Sequence, residues 1–258
     1  MRHDIESLYS LGGKHVVITG ASSGIGRSCA VMCANLGATL TLFGRNRYEL
    51  EVTASSLAGE GHLCFDHSNE EVEKLEEAVK AAVESSGRID GFIHSAGISK
   101  LLAFRMSDAD FFKENFEVNA LYGFEAARVI SKKKYINKAS ASFVFISSVV
   151  SHCGVRGQVA YAASKGAVHS GAKSLAMELA PNKIRVNTIS PGMVKDTPMT
   201  QEMLKAMPEA WITENEAAYP LGMLSADDIS SGCAFLLSDA ASKITGTDLV
   251  IDGGMSAQ

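Results

Sequence analysis

Proline is scarce in this 258-residue chain, with five in all, and tryptophan occurs once. With so little proline, and with 46% hydrophobic against 21% charged residues, the composition excludes a disordered or fibrous chain. No apolar run reaches the length needed to cross a bilayer. The segment Met1 to Lys14 carries Arg2, Asp4, Glu6 and Gly12-Gly13, and lacks the apolar core and cleavage site of a signal peptide. Positive charge is not in excess. A formal net charge of -5, a pI near 5.8 and no basic run longer than Lys132-Lys133-Lys134 argue against nucleic acid or an anionic membrane as partner. The cysteines (Cys29, Cys33, Cys64, Cys153, Cys233) are odd in number and scattered, which excludes a disulfide framework and fits reduced thiols in a cytoplasmic protein. Cys29 and Cys33 stand four apart on an expected helix, but no His or Cys pair follows at ligand spacing, so core packing is their expected role and no metal is expected.

What is present is an alternation. Short β-branched runs at His15 to Thr19, Thr39 to Phe43, Gly61 to Phe65, Ile89 to His94, Ser142 to Ser147, Arg185 to Ile189 and Asp248 to Ile251 are separated by helical patterns that begin near Gly24, Arg47, Asn69, Asp108, Gln158 and Ala226. Ser68-Asn69 and Ser225 are the expected capping residues. Strand-helix alternation implies parallel strands joined by right-handed crossovers. The expected fold is therefore a single-domain, doubly wound α/β Rossmann fold over residues 1–258, with a seven-stranded parallel sheet and helices on both faces. The first three strands carry few charges and read as central. A ligand is expected outside the carboxyl ends of the strands, where strand order switches. The irregular stretch from Pro198 to Tyr219, with Met199, Met203, Met207 and Trp211, suits either a mobile lid over an apolar substrate or a surface helix packing its own methionine face.

The motifs fall at strand ends. Thr19-Gly20-Ala21-Ser22-Ser23-Gly24-Ile25-Gly26 leaves the first strand and opens the first crossover helix, so its glycines let the backbone approach a pyrophosphate while the helix terminus offers unpaired N–H groups. After the second strand, in Gly44-Arg45-Asn46-Arg47, no acid stands where an NAD site binds the ribose 2′-hydroxyl. Arg45 can pair with a 2′-phosphate, which points to NADP(H) rather than NAD(H); the alternative is that Arg45 and Arg47 are solvated charges at a turn. Asp66, in Phe65-Asp66-His67-Ser68, is placed either to accept from an adenine amino group or to act as a helix N-terminal charge. Tyr161 and Lys165 lie four apart on one helical face. A phenol ordinarily titrates near 10, and an ammonium at that spacing, aided by an oxidised nicotinamide, can stabilise its anion. Ser148, at the end of the fifth strand, is placed to donate to a substrate oxygen.

This set, in this order, resembles the short-chain dehydrogenase/reductase family over essentially the full length. The resemblance implies that Gly20, Ser22, Ser23, Gly24, Ile25 and Gly26, with Arg45, Asn46, Asp66 and His67, bind the cofactor's phosphates and adenosine. It implies that Ser95, Ala96 and Gly97 line the cofactor after the fourth strand, and that Asn119, Ser148, Tyr161 and Lys165 form a catalytic tetrad. Lys165 would also hold the nicotinamide ribose, and Asn119 a water leading to solvent. Pro191-Gly192 would turn beside the nicotinamide, Ile251-Asp252-Gly253-Gly254 matches the terminal signature, and Val194 or Thr197 would reach the nicotinamide amide. His94-Ser95 replaces the usual Asn-Asn, so hydrogen bonds that brace the central strands must be rearranged, with His94 expected as a satisfied buried imidazole. His152 is expected either in the substrate pocket or in an exposed loop. The resemblance further implies reduction of a ketone to a secondary alcohol with Tyr161 as acid. Its substrate would be a small carbonyl or alcohol compound such as a 3-oxoacyl thioester, a sugar or a polyol, and the assembly a homotetramer or homodimer. A non-catalytic NADP(H)-sensing scaffold, or an epimerase or dehydratase, are the rival readings. An intact tetrad speaks against the first, and the glycine spacing against the second.

Overall fold

The computed structural model describes residues 5–67 and 72–257; the expected helix start at Ser68-Asn69 lies outside them. In chain order the strands are β1 (His15–Thr19), β2 (Thr39–Gly44), β3 (Leu63–Asp66), β4 (Gly91–His94), β5 (Ala141–Ile146), β6 (Ile184–Pro191) and β7 (Asp248–Ile251). The helices are α1 (Ile5–Tyr9), α2 (Gly24–Asn35), α3 (Arg47–Ser55), α4 (Val72–Ser86), α5 (Ala109–Phe116), α6 (Tyr122–Ile130), α7 (Val159–Leu179), α8 (Pro198–Lys205), α9 (Glu209–Ala217) and α10 (Ala226–Leu237). All seven strands are parallel, in the order β3-β2-β1-β4-β5-β6-β7.

The period of two along each strand sorts the core into two halves. Val16 and Ile18 of β1, Leu40 and Leu42 of β2, Ile93 of β4 and Val144 of β5 face a cluster that includes Cys29 and Cys33 of α2 and Ile229, Cys233 and Leu236 of α10. Val17, Phe43, Phe92, Phe143 and Phe145 face the other side, against Val79 of α4, Ala126 and Ile130 of α6, and Val168 and Ala172 of α7. Each fully buried side chain of this size contributes about 1.5–3 kcal/mol. Cys29 and Cys33 are thus core residues, as expected. A hydrogen bond with the neighbouring Cys233, together with burial, pushes the Cys29 thiol up, which keeps it protonated and inert.

One expectation is corrected. β1 and β2 are interior, but β3 is an edge strand, and none of its residues is fully buried. Cys64 and Phe65 pack against the cores on opposite faces of the sheet, so the low charge of Gly61 to Phe65 reports cover on both faces, which an edge strand shares with an interior one.

Local sequence fixes the helix starts. Asn46 caps α3 through the Glu49 N–H, Asp108 caps α5 through Phe111, and Ser225 forms a reciprocal capping box with Asp228 at α10. Between α5 and α6 the chain makes one π-helical turn at Glu117–Leu121, which widens the backbone around Asn119 without breaking the helix. No helix among the described residues is long and apolar enough to cross a membrane.

Candidate active site

Strand order reverses between β1 and β4, where Thr19 is in register with His94. A cleft opens at their carboxyl ends. It is lined by Gly20, Ser22, Ser23, Gly24 and Ile25 of the glycine loop, by Phe43, Gly44 and Arg45 at the end of β2, by His67 after β3, by Ser95, Ala96 and Gly97 after β4, and by Val118, Tyr122, Thr197, Pro198 and Met199. The glycines are required by space. Gly20 has φ +70, and a Cβ there would lie 2.7 Å from the Ala96 nitrogen. At Gly97 a Cβ would approach Asn119 Oδ1 to 3.2 Å and Lys165 Nζ to 3.5 Å.

A dinucleotide fits this cradle by its donor set. Ser23, the N-cap of α2, makes no side-chain capping bond, in contrast to Asn46, Thr197 and Ser225, so the first-turn N–H groups of α2 remain available to an anion. At the end of β2 the two arginines differ. Arg47 is engaged by Glu51 at 2.7 Å, by the Cys64 carbonyl at 2.9 Å and by Asp66 at 3.9 Å. Arg45 lines the cleft, is exposed, and has no hydrogen-bond or ion-pair partner among the described residues.

Several expected cofactor residues lie elsewhere. Asn46 spends its side chain on capping α3, and Asp66 is exposed and faces Arg47; neither lines the cleft. Gly26 and Val194 are buried behind the lining. A Cβ at Gly26 would meet the Gly20 carbonyl at 2.2 Å, so Gly26 serves the turn itself. Pro191 ends β6, and Gly192 makes room for Tyr219, whose ring would be 2.8 Å from a Cβ there. Thr197 lines the cleft beside Gly24 while capping α8. Phe43, Val118 and Tyr122 were not singled out in the sequence, because apolar and aromatic lining has no motif. Tyr122 stacks on His67 with ring centroids 5.7 Å apart, and its hydroxyl meets His67 Nδ1 at 3.3 Å.

Tyr161 and Lys165 share the first turns of α7. Lys165 is 3% exposed and donates to the Ile146 carbonyl at 2.8 Å, while Ser147 Oγ donates to the Lys165 carbonyl at 3.0 Å, so the end of β5 and α7 are pinned together. Burial lowers the Lys165 amine to about 8. Its nitrogen lies 5.8 Å from the Tyr161 ring centre. The spacing suggests a phenol pulled down by the ammonium; in the protein alone burial dominates and pushes Tyr161 up to about 12, with a hydrogen bond to Ser148 acting the other way. Tyr161 is therefore a protonated donor at neutral pH. Ser148 is buried at the N-cap of a short 3₁₀ turn.

Asn119 sits in the π turn, where its side chain is fully used. Oδ1 accepts from the Ile98 N–H at 2.7 Å, and Nδ2 donates to the Ile98 carbonyl at 3.0 Å and to Ser164 Oγ at 2.9 Å. A water relay at Asn119 would have to use its main-chain carbonyl. That carbonyl accepts from His94 Nε2 at 3.3 Å, and because a carbonyl only accepts, the His94 proton is on Nε2. Nδ1 then accepts from the Thr19 hydroxyl at 2.9 Å. His94 is thus the satisfied buried imidazole that was expected. Burial, followed by the Lys165 charge, holds its pKa down to about 3.

α8 and α9 resolve the two readings of the Pro198 to Tyr219 stretch in part. Pro198 and Met199 reach the cleft beside the glycine loop, whereas Met203, Met207 and Trp211 are half-buried and do not line it. His152 does not line the cleft either; its partly exposed ring donates to Asp248 Oδ2 at 2.7 Å.

A doubly wound parallel sheet with a glycine cradle and an uncapped helix terminus at its switch point defines a dinucleotide-binding α/β protein. A family profile described as Enoyl-(Acyl carrier protein) reductase matches residues 20–256. The chain is 37% identical over 256 residues to the oxidoreductase UcpA of Salmonella typhimurium, covering 95% of each chain. It is 34% identical over 255 residues to the 3-oxoacyl-[acyl-carrier-protein] reductase FabG of Rickettsia prowazekii, covering 96% of this chain and 99% of that one. A dehydrogenase/reductase of Sinorhizobium meliloti 1021 superposes with a TM-score of 0.89 at 29% identity, covering 97% and 98%. The chain belongs to the short-chain dehydrogenase/reductase family, oxidoreductases of alcohols and ketones that use a nicotinamide cofactor.

Proposed function

We propose that this protein is an NADP(H)-dependent reductase that converts a ketone to a secondary alcohol, with residues 1–258 forming one cofactor-binding domain. The observation that carries the NADP(H) preference is the guanidinium of Arg45, unpartnered among the described residues, in a cleft with no acid at the end of β2. A 2′-phosphate would supply the partner that Arg45 lacks, whereas a 2′-hydroxyl would leave the charge unmatched.

The glycine loop and the α2 terminus would hold the pyrophosphate, His67 and Tyr122 the adenosine end, and Lys165 the nicotinamide ribose. When bound, the reduced nicotinamide supplies a hydride. Tyr161, kept protonated by burial, gives its proton to the carbonyl oxygen, and Ser148 donates a hydrogen bond to that oxygen. Lys165 contributes positive charge beside the phenolate that Tyr161 becomes, and His94 and Asn119 hold the α5–α6 turn against β4 and the loop at Ile98.

The substrate class favoured is a 3-oxoacyl thioester or a comparable small ketone, by likeness to FabG; sugars and polyols are the alternative. Assembly as a homotetramer or homodimer is supported by apolar side chains left exposed on α7 (Val159, Met177), at Leu121 and at Val250 of β7. The reading is tested by following NADPH and NADH oxidation over a panel of 3-oxoacyl thioesters, keto sugars and simple ketones. NADPH-linked turnover on one class is expected; equal use of both cofactors, or no turnover on any class, contradicts it.

A further inference from the structure

Away from the cleft, three side chains from three separate elements converge. Asp248 is the first residue of β7, His169 lies on α7 one turn beyond Lys165, and His152 follows the 3₁₀ turn that starts at Ser148. Asp248 is 7% exposed, and its Oδ1 accepts from the hydroxyls of Thr188 and Ser190, the latter at 3.0 Å. Oδ2 is left facing the two imidazoles, with His152 Nε2 at 2.7 Å and His169 Nδ1 at 3.8 Å. The rings meet edge to face with centroids 4.7 Å apart, and one ligand atom from each of the three residues lies within 4.8 Å of the others.

His169 Nδ1 is buried and has no hydrogen-bond partner among the described residues, since the 3.8 Å to Asp248 is too long for one. A buried nitrogen left unpaired is costly and calls for an explanation, of which a bound ion is one. We propose that His152, His169 and Asp248 bind a divalent transition-metal cation of the zinc type. Two imidazoles and one carboxylate are a donor set for zinc, cobalt or nickel rather than for magnesium or calcium, which prefer oxygen alone. Bonds of about 2.0–2.1 Å in a tetrahedral site place donors ~3.3 Å apart, a spacing that lies between the present His152–Asp248 distance of 2.7 Å and the His169–Asp248 distance of 3.8 Å. The hydroxyls of Thr188 and Ser190 orient the carboxylate in the manner of outer-shell partners. The proton now on His152 Nε2 shifts to Nδ1, the other tautomer of the neutral ring. His152 is 34% exposed in its side chain, which gives the cation an entry path from solvent. The bound cation would tie the segment after Ser148 to α7 and to β7.

The sequence gives no hint of this site, because positions 152, 169 and 248 match no ligand spacing. The test uses tag-free, full-length protein stripped with a chelator and titrated with cobalt(II), followed by zinc(II). One cobalt per chain, with the visible bands of a tetrahedral nitrogen-oxygen site, displacement by zinc and a zinc-induced rise in Tm are expected. His152→Ala and His169→Ala, each folded by circular dichroism, should each weaken cobalt binding by more than about tenfold. His152→Ala removes a partly exposed ring and leaves the fold intact even if Asp248→Asn does not. Absence of saturable cobalt binding, or binding unchanged in the His152→Ala and His169→Ala double variant, overturns the proposal and leaves His152 and Asp248 as a hydrogen-bonded pair. The readout is independent of reductase activity.

Discussion

The imidazole of His94 and the main-chain carbonyl of Asn119 are joined at 3.3 Å, which couples the end of β4 to the π turn between α5 and α6. The ring lies where only a glycine can face it. A Cβ at Gly123 would sit 2.4 Å from His94 Cδ2. The bond fixes one tautomer, and the other ring nitrogen reaches Thr19 on β1, so a single side chain links both strands of the switch point to the turn that carries Asn119.

This arrangement has a pH signature. His94 titrates at 6.5 in an unfolded chain and at about 3 in the fold, so below 6.5 the unfolded state takes up a proton that the native state refuses. Stability falls as pH drops through that window, by several kcal/mol in all. His94→Asn, which removes the titrating group while keeping a donor and an acceptor, should flatten the loss. Urea unfolding of both proteins between pH 7 and pH 4 reads the difference, and parallel curves would contradict the account.

Lys165 gives the complementary alkaline signature. Its folded value of about 8 lies below the 10.5 of an unfolded lysine, so between these limits the unfolded state binds more protons and stability rises with pH. Lys165→Met should remove that rise. In the wild-type protein kcat/KM for the cofactor, which reports ionisations of the free enzyme, should decline above about pH 8 as the ammonium is lost. A profile flat to pH 10 would show that the charge is not needed.

Arg45→Ala should weaken NADPH binding by ~10- to 100-fold, the worth of a charge-assisted phosphate contact, while NADH binding changes little. Fluorescence titration with both cofactors separates the outcomes. Equal losses would mean that Arg45 acts on the turn rather than on a phosphate. Arg47→Ala, already engaged by Glu51 and the Cys64 carbonyl, should leave the preference intact.

The architecture was legible where periodicity and turn chemistry act locally. β1 and β7 begin and end at the residues expected, and α10 starts at its Ser225 box. Strand order was not legible, because the apolar residues of Gly61 to Phe65 pack on both faces of the sheet whether the strand is interior or at the edge, and β3 proves to be an edge. In the site, the glycine loop, Tyr161 and Lys165 were visible because their chemistry needs fixed spacing along one turn or one helix. The π turn at Asn119, the stacking of Tyr122 on His67 and the meeting of His152, His169 and Asp248 depend on distant segments, and no local pattern encodes them. The approach of Asp66 to Arg47 at 3.9 Å is of the same kind.

The central claim is that Tyr161 is the proton donor. The most direct measurement is turnover of Tyr161→Phe on the best carbonyl substrate, alongside NADPH binding by the same preparation. Removal of a general acid costs about 10²- to 10⁴-fold, so a fall in kcat of that size with cofactor affinity nearly retained is predicted. A Tyr161→Phe enzyme that keeps a substantial share of its turnover would contradict the account.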